Sequence, residues 1–283
     1  MADNACYKAK DNGRGCFYYA DNMTGEHDED IYNLSLLIEA IENQYFQYYF
    51  QKIHAMNDKN SSYWELLLRL KMPDGEIKLP GSFLPVGERF NYGQHIDEWV
   101  FNNLAFYLKE VLSRLPIVSL PKIAINISAS SLTSPNFTQM VISCLNDLEV
   151  SFDRFCIEVT ETVAIQHFAQ ARETLLILKE KGIKIALDDF GSGMASFNYI
   201  KELPLDIIKI DGSFIGGMVE DPLYSTIVQA TKNIAEVLDC TTVAEQVETK
   251  EQFDKIKSIG IDYCQGFYLS NPLSLTDFLK EIS

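Results

Sequence analysis

Short apolar runs alternate with amphipathic helical patterns along most of the chain, and this alternation constrains the fold more than any other feature. Two apolar runs, Tyr48–Ile53 and Tyr63–Leu70, flank a polar stretch and predict an antiparallel pair of strands. From Lys122 onward the order is strand then helix, which favours parallel strands joined by right-handed crossovers. Eight predicted strands within residues 44–283 indicate a TIM-type (β/α)8 barrel with its first strand antiparallel.

The remaining predicted strands are Lys122–Ile127, Phe155–Thr160, Lys184–Leu187, Asp206–Ile210, Thr242–Val247 and Tyr263–Leu269. Helical periodicity predicts helices over 31–41, Tyr92–Leu115 (with a preceding loop), Asn136–Leu148, Phe168–Lys181, Ser196–Glu202, Leu223–Leu238, Lys250–Ile259 and Leu275–Ile282. Thr249 is the predicted cap of the helix that it precedes.

Polar side chains stand at the C-terminal ends of seven predicted strands, where such barrels carry their chemistry. These residues are Glu65, Asn126, Glu158 with Glu161, Asp188 with Asp189, Lys209 with Asp211, Glu245 with Glu248, and Gln265. One acid at a strand end is usually a helix cap or a surface charge, whereas seven polar strand ends indicate a shared site.

The pair Asp188-Asp189 ends an apolar run, so two adjacent carboxylates repel each other and need cations, donors or protonation. Alternatively, Asp189 caps the next helix and Asp188 faces water. If the strand ends converge, the candidate metal ligands are Glu65, Asn126, Glu158, Asp188, Asp189 and Glu245. Oxygen ligands favour Mg²⁺ or Mn²⁺ over Zn²⁺, and five carboxylates favour two ions bridged by Asp188.

Lys209 is the only cation among the strand-end residues. Either it forms a structural ion pair with Asp211, or it holds its ammonium where charge develops in a transition state. Glu245 is a candidate metal ligand, general base, or both.

Composition excludes several classes of function. The net charge of −16, from 40 acidic and 24 basic residues, argues against binding to polymeric nucleic acid. We find neither an apolar stretch long enough for a transmembrane segment nor a signal peptide. The six cysteines form no Cys-x-x-Cys pair and are expected to be reduced thiols in the cytoplasm.

From Gln44 to Ser283 the ordered motifs resemble those of EAL-domain phosphodiesterases of cyclic di-GMP. Glu65-Leu66-Leu67 stands where that family has Glu-Ala-Leu. The resemblance implies Mg²⁺- or Mn²⁺-dependent hydrolysis of cyclic di-GMP to linear pGpG by a homodimer. It implies metal binding by the six ligands named above, and catalytic roles for Lys209, Glu245 and Glu65. Glu161 would steady the loop after the Asp pair, and substrate contacts would come from Gln51, Arg69, Asp211, Glu248 and Gln265.

The first residues, Ala2-Asp3-Asn4-Ala5-Cys6-Tyr7-Lys8-Ala9-Lys10 and then Gly13-Arg14, resemble the closing motif of GGDEF diguanylate cyclase domains. We therefore expect residues 1–20 to be the C-terminal tail of an upstream GGDEF domain. Residues 21–43 are the predicted linker and first helix, and residues 44–283 the predicted phosphodiesterase barrel.

The chain departs from the EAL pattern at a few positions. Lys52 replaces a proline, and Gln246 replaces the glycine of Ala-Glu-Gly-Val-Glu. The loop after the Asp pair has Ser192, Met194 and Ala195 in place of Thr, Tyr and Ser. Two alternatives to hydrolysis are a catalytically silent cyclic di-GMP receptor and a sugar-processing barrel. The second needs only two carboxylates and leaves Asn126 and Lys209 unexplained.

Overall fold

The computed structural model describes residues 25–57, 61–72, 74–112, 120–191 and 197–282. The predicted GGDEF tail at residues 1–20 and residues 192–196 of the loop after the Asp pair lie outside this part of the chain. Predictions about them stay predictions.

Ten strands form one sheet in the described residues. They are β1 (Phe46–Ala55), β2 (Tyr63–Lys71), β3 (Ile77–Lys78), β4 (Ile123–Asn126), β5 (Phe155–Thr160), β6 (Lys184–Phe190), β7 (Ile207–Ile210), β8 (Thr241–Ala244), β9 (Tyr263–Cys264) and β10 (Leu273–Ser274). Eight of them close in the order β1-β2-β4-β5-β6-β7-β8-β9 and back to β1. β1 is antiparallel to both neighbours, and the other pairs in the ring are parallel. The predicted (β/α)8 barrel with an antiparallel first strand is confirmed.

Helices surround this barrel. They are α1 (Gly25–Asn43), α2 (Leu84–Arg89), α3 (Gly93–Leu112), α4 (Ala129–Leu132), α5 (Pro135–Asn146), α6 (Glu161–Gln166), α7 (Phe168–Glu180), α8 (Phe197–Ile200), α9 (Gly212–Gly217), α10 (Pro222–Val237), α11 (Lys250–Ile259) and α12 (Leu275–Ile282). Thr249 caps α11 in a capping box with Gln252, as predicted. None of the helices that the structure describes is both long and apolar enough to cross a membrane.

Several element boundaries differ from the prediction; β1, for example, runs from Phe46 to Ala55, and β6 continues to Phe190. α1 begins at Gly25, within the residues assigned to a linker. β8 ends at Ala244 instead of Val247, because Gln246 adopts a left-handed backbone with φ of 51°. β9 ends at Cys264 instead of Leu269, because the chain turns there and the amides of Leu269 and Ser270 donate to the Gly266 carbonyl.

A layer of apolar side chains fills the barrel interior. It consists of Ile53, Tyr63, Ala124, Cys156, Ala186, Ile207, Val243 and Tyr263. The two tyrosine rings meet edge to face at 5.1 Å and occupy the space beside three small residues. Side chains of a strand alternate between faces, so the residue two places further on also points inward. In β2 and β4–β7, and one residue past the ends of β8 and β9, that residue is a predicted site residue: Glu65, Asn126, Glu158, Asp188, Lys209, Glu245 or Gln265.

Candidate active site

Four carboxylates from four different strands surround the Lys209 ammonium, which is fully buried. Its Nζ lies 2.7 Å from Glu158 Oε2, 2.8 Å from Glu245 Oε1, 3.2 Å from Asp188 Oδ1 and 3.8 Å from Glu65 Oε2. The alternative in which Lys209 forms a structural pair with Asp211 is wrong. Asp211 follows the end of β7 and caps α9, accepting a hydrogen bond from the Ser213 amide at 2.8 Å.

Amide side chains fix the orientation of Glu65. Asn126 Nδ2 donates to Glu65 Oε1 at 2.8 Å, and Gln265 Nε2 donates to Glu65 Oε2 at the same distance. Gln265 Nε2 also donates to Gln51 Oε1 at 3.0 Å, and Gln51 Nε2 donates to the Ser270 carbonyl. Because these donors come from β1, β4 and β9, the site draws on strands around the whole ring.

A bulge in β6 brings the two adjacent aspartates together. In a regular strand Asp188 and Asp189 would point to opposite faces. The register between β6 and β7 shifts between Leu187 and Phe190, and Asp189 has a left-handed backbone with φ of 54°. As a result, oxygens of Asp188, Asp189 and Glu245 all lie within 4.8 Å of one another. Capping of the next helix by Asp189 is therefore wrong, since α8 begins only at Phe197.

The carboxylates outnumber the cation that they share. Burial raises the pKa of Glu158 well above its usual range and that of Glu245 to about 8. Burial and the neighbouring Asp188 raise the pKa of Asp189 to about 6. Burial lowers the pKa of Lys209, but the four surrounding carboxylates outweigh it and hold that pKa well above the usual value. The cluster therefore retains protons at neutral pH unless a further cation binds.

The residues of this cluster fit a hard divalent cation. Glu158 Oε1 and Gln265 Oε1 are buried acceptors for which the described residues supply no hydrogen-bond donor. Buried acceptors of this kind normally have a partner, which can be an ion. All candidate ligands offer oxygen, the donor atom that Mg²⁺ and Mn²⁺ prefer.

Glu161 holds the start of the loop after the Asp pair. Its side chain is buried, and its Oε2 accepts a hydrogen bond from the Gly191 amide at 2.6 Å. Gly191 has φ of +97°, and a Cβ atom there would lie 2.7 Å from the Phe214 ring. The backbone beside Asp189 is therefore fixed by a hydrogen bond on one side and a ring on the other.

We predict that Gly191→Ala destabilises the protein more than Gly75→Ala does. Gly75 has nearly the same φ, +93°, but a Cβ atom there would meet nothing within 4 Å. Both variants carry the left-handed cost of about 1–2 kcal/mol, whereas only Gly191→Ala adds overlap with Phe214, of about 1–3 kcal/mol. Urea unfolding of both variants measures the difference. Equal losses in the free energy of unfolding would show that Phe214 does not confine the loop.

A cleft of about 320 Å³ opens beside Glu65 and Glu245. Its other lining residues are Gln51, Gln246, Glu248, Gln265, Gly266 and Phe267. Three of the five predicted substrate-contacting residues, Gln51, Glu248 and Gln265, therefore line one cleft. A larger groove of about 880 Å³, beside α1 and β3, contains none of the predicted site residues.

The other two predicted substrate contacts lie elsewhere. Arg69 is four residues beyond Glu65 on the same face of β2, half-buried, with its guanidinium 5.6 Å from the Tyr49 ring centre. Asp211 is the cap of α9 described above, and its charge helps to raise the pKa of Asp189. Lys52 lies on the opposite face of β1 from Gln51 and pairs with Glu281 of α12 at 2.9 Å, so this departure from the EAL pattern does not alter the cleft.

Sequence reasoning missed Asp97, which supports the site from an outer helix. This buried residue of α3 accepts hydrogen bonds through Oδ2 from the Ser128 amide at 2.7 Å and from Ser131 Oγ at 2.6 Å. The loop that it holds begins directly after Asn126 and Ile127. The sequence does show an acidic residue within the otherwise apolar face of α3. Such a residue indicates that the acid has a buried hydrogen-bond partner, but it does not identify that partner.

A polar site at the mouth of a (β/α)8 barrel with an antiparallel first strand defines the EAL domain family, to which this chain belongs. The family model, described as EAL domain, matches residues 36–272. The chain is 35% identical over 269 residues to cyclic di-GMP phosphodiesterase PdeF of Escherichia coli, covering 95% of this chain and 35% of that protein. It is 32% identical over 284 residues to cyclic di-GMP phosphodiesterase PdeB of Shewanella oneidensis, covering 99% and 33%.

Solved structures agree with this family. The PaMucR phosphodiesterase in complex with c-di-GMP superposes with a TM-score of 0.79 at 29% identity, covering 87% of this chain and 99% of that one. The chain spans about a third of the length of the two curated relatives. The activities in their names therefore belong to proteins about three times as long as this chain.

Proposed function

We propose that this chain is a metal-dependent phosphodiesterase that hydrolyses cyclic di-GMP to linear pGpG. The observation that carries the proposal is the buried lysine surrounded by four carboxylates at the mouth of the barrel. Names of the relatives give the substrate class, since PdeF and PdeB are called cyclic di-GMP phosphodiesterases. The acids, amides and lysine of the site are all present, and this favours catalysis. A receptor that only binds the nucleotide would not need the complete set.

Six residues would hold the metal: Glu65, Asn126, Glu158, Asp188, Asp189 and Glu245. Their combined charge is suited to two Mg²⁺ or Mn²⁺ ions with Asp188 between them. When bound, such ions supply Lewis-acid polarisation of a phosphoryl oxygen and lower the pKa of water.

The protein's own groups would then act on the phosphodiester. The Lys209 ammonium, already fixed by its ion pairs, would stabilise negative charge as the phosphorus–oxygen bond breaks in line with the attacking water. Without metal the pKa of Glu245 is raised to about 8, so its carboxyl would become ionised only when cations bind and could then accept the proton of that water. Arg69 would bind a phosphate oxygen with its forked guanidinium, and Gln51, Glu248 and Gln265 would orient the substrate in the cleft.

Incubation with cyclic di-GMP in Mg²⁺ or Mn²⁺ buffer, followed by chromatography, tests the proposal. We expect pGpG to form, formation to stop on addition of EDTA, and excess metal to restore it. Binding of cyclic di-GMP without pGpG at any metal concentration would assign the receptor function instead. The homodimer, the upstream GGDEF domain and the cytoplasmic location implied by the resemblance stay predictions.

A further inference from the structure

Gln246 adopts a backbone conformation that normally favours glycine, with φ of 51°. A left-handed backbone at a residue with a long side chain costs free energy and often marks a functional site. Six described residues other than glycine have positive φ. Four of them, which do not line the cleft, are Gln44, Asn91, Glu149 and Asp239. The other two, Asp189 and Gln246, lie at the mouth of the barrel, and Gln246 directly follows Glu245.

The Gln246 side chain extends along the rim of the cleft. It covers Gly212, the first residue of α9, where a Cβ atom would lie 2.3 Å from Gln246 Cδ. It also lines the cleft together with Glu245 and Glu248. Gln246 is exposed, and no described residue forms a hydrogen bond with its side-chain amide. The donor and acceptor of this amide are therefore open to a ligand.

The two ends of the cleft differ in chemistry. Glu65 and Glu245 at one end are proposed metal ligands, and a phosphate there would face the metal ions. The other end is formed by Gln246, Glu248, Gly266 and Phe267, which supply no cation for a phosphate but offer acceptors for the N–H groups of a base. Phe267, on the same wall, is 64% exposed and offers an aromatic face on which a base can stack.

We propose that Gln246 binds the substrate by hydrogen-bonding the edge of a guanine base. An amide offers one acceptor and one donor group, which match the N1–H and O6 of guanine. Adenine presents the reverse order of donor and acceptor, which the same amide matches after rotation of its terminal bond, so this contact binds a base without selecting guanine. The inference rests on the proposed function for the identity of the substrate, and it assigns to Gln246 a contact with the base, not with the metal or the phosphate.

The test compares Gln246→Met, which keeps the length of the side chain without its amide, with the wild type. Calorimetry in EDTA gives Kd for cyclic di-GMP and for cyclic di-AMP, and steady-state assays in Mg²⁺ give KM and kcat. We expect Kd and KM for cyclic di-GMP to rise about fivefold, which is the usual effect of losing one hydrogen bond. The value of kcat should stay unchanged. Any affinity for cyclic di-AMP should fall by a similar factor, because the amide can pair with either base.

Two glycine variants separate binding from backbone strain. Gln246→Gly should weaken binding like Gln246→Met, and it should also raise Tm by about 2 °C because it relieves the left-handed strain. Asp239→Gly is the matched control, since Asp239 is exposed, has φ of 56° and lies at the opposite end of the barrel before β8. It should raise Tm similarly without changing KM.

Unchanged Kd and KM in Gln246→Met would overturn the proposal. A wild-type chain that binds cyclic di-GMP but does not cleave it would overturn the proposed hydrolysis alone, and the Kd values would still decide the role of Gln246. A wild-type chain with no affinity for cyclic di-GMP would overturn both.

Discussion

Lys209→Met is expected to reduce kcat for cyclic di-GMP by about 10²–10³-fold, the usual effect of removing one charge-stabilising donor from an active site. The same change should destabilise the metal-free protein by about 3–5 kcal/mol, because it leaves four carboxylates without the ammonium between them. Methionine has nearly the same length and fits the buried position, so the loss reports charge and not a cavity. Steady-state assays and urea unfolding in EDTA measure the two effects.

Lys232→Met provides the matched control. Lys232 is also buried, and its Nζ lies 2.9 Å from Asp262 Oδ2, next to Thr242 near the start of β8. This pair is at the end of the barrel away from the site. We expect Lys232→Met to lower the free energy of unfolding but to leave kcat near the wild-type value. Equal kcat losses in the two variants would show that activity follows stability and that Lys209 has no catalytic role.

Asp188→Asn is expected to weaken metal binding by more than about 100-fold, since even loss of a supporting contact can cost that much. Asp188 lies against Lys209, and its carboxylate is within 4.8 Å of ligand oxygens of Asp189 and Glu245, so it is a candidate ligand of a cation at this position. A cation that binds only the folded state at 100 times its Kd adds about 2.7 kcal/mol of stability. The rise in Tm that Mg²⁺ or Mn²⁺ gives the wild type should therefore disappear in Asp188→Asn, together with hydrolysis.

Asp254→Asn makes the same chemical change on the outside of α11, where Asp254 pairs with Lys250 in an exposed ion pair. This control should keep the full increase in Tm on addition of metal. Direct titration with Mn²⁺ provides a second measurement that does not depend on turnover. If Asp188→Asn binds Mn²⁺ as tightly as the wild type, then Asp188 is not a metal ligand.

Most of the site could be predicted from the two-residue alternation of side chains between the faces of a strand. Asn126, Glu158, Asp188 and Glu245 each stand two places beyond a small or apolar residue that fills the barrel, namely Ala124, Cys156, Ala186 and Val243. Alternation carries both residues of such a pair to the same side. Closure of the ring then brings the polar members together, and this too followed from the order of strands and helices.

The same rule could not place residues at a bulge or where the chain turns away from the strand direction. It puts Asp189 on the face opposite Asp188, and only a bulge with a left-handed residue reverses this. It puts Asp211 on the face of Lys209, but β7 ends at Ile210 and Asp211 turns away to cap α9. Asp97 could not be recognised from a local motif, because the residues that it contacts, Ser128 and Ser131, lie more than thirty positions further along the chain.

The reversed direction of β1 has a consequence for how force reaches the site. Phe46 pairs with Leu70 and Gln47 with Arg69, so β1 starts above the mouth of the barrel and descends past Glu65. In a barrel built only of parallel strands, the first strand would start at the far end. Here α1 joins β1 on the catalytic side, and only a few residues separate that junction from Gln51. A pull or twist on α1 therefore acts on the cleft beside Glu65 and Glu245 through the short stretch of backbone between Asn43 and Gln51.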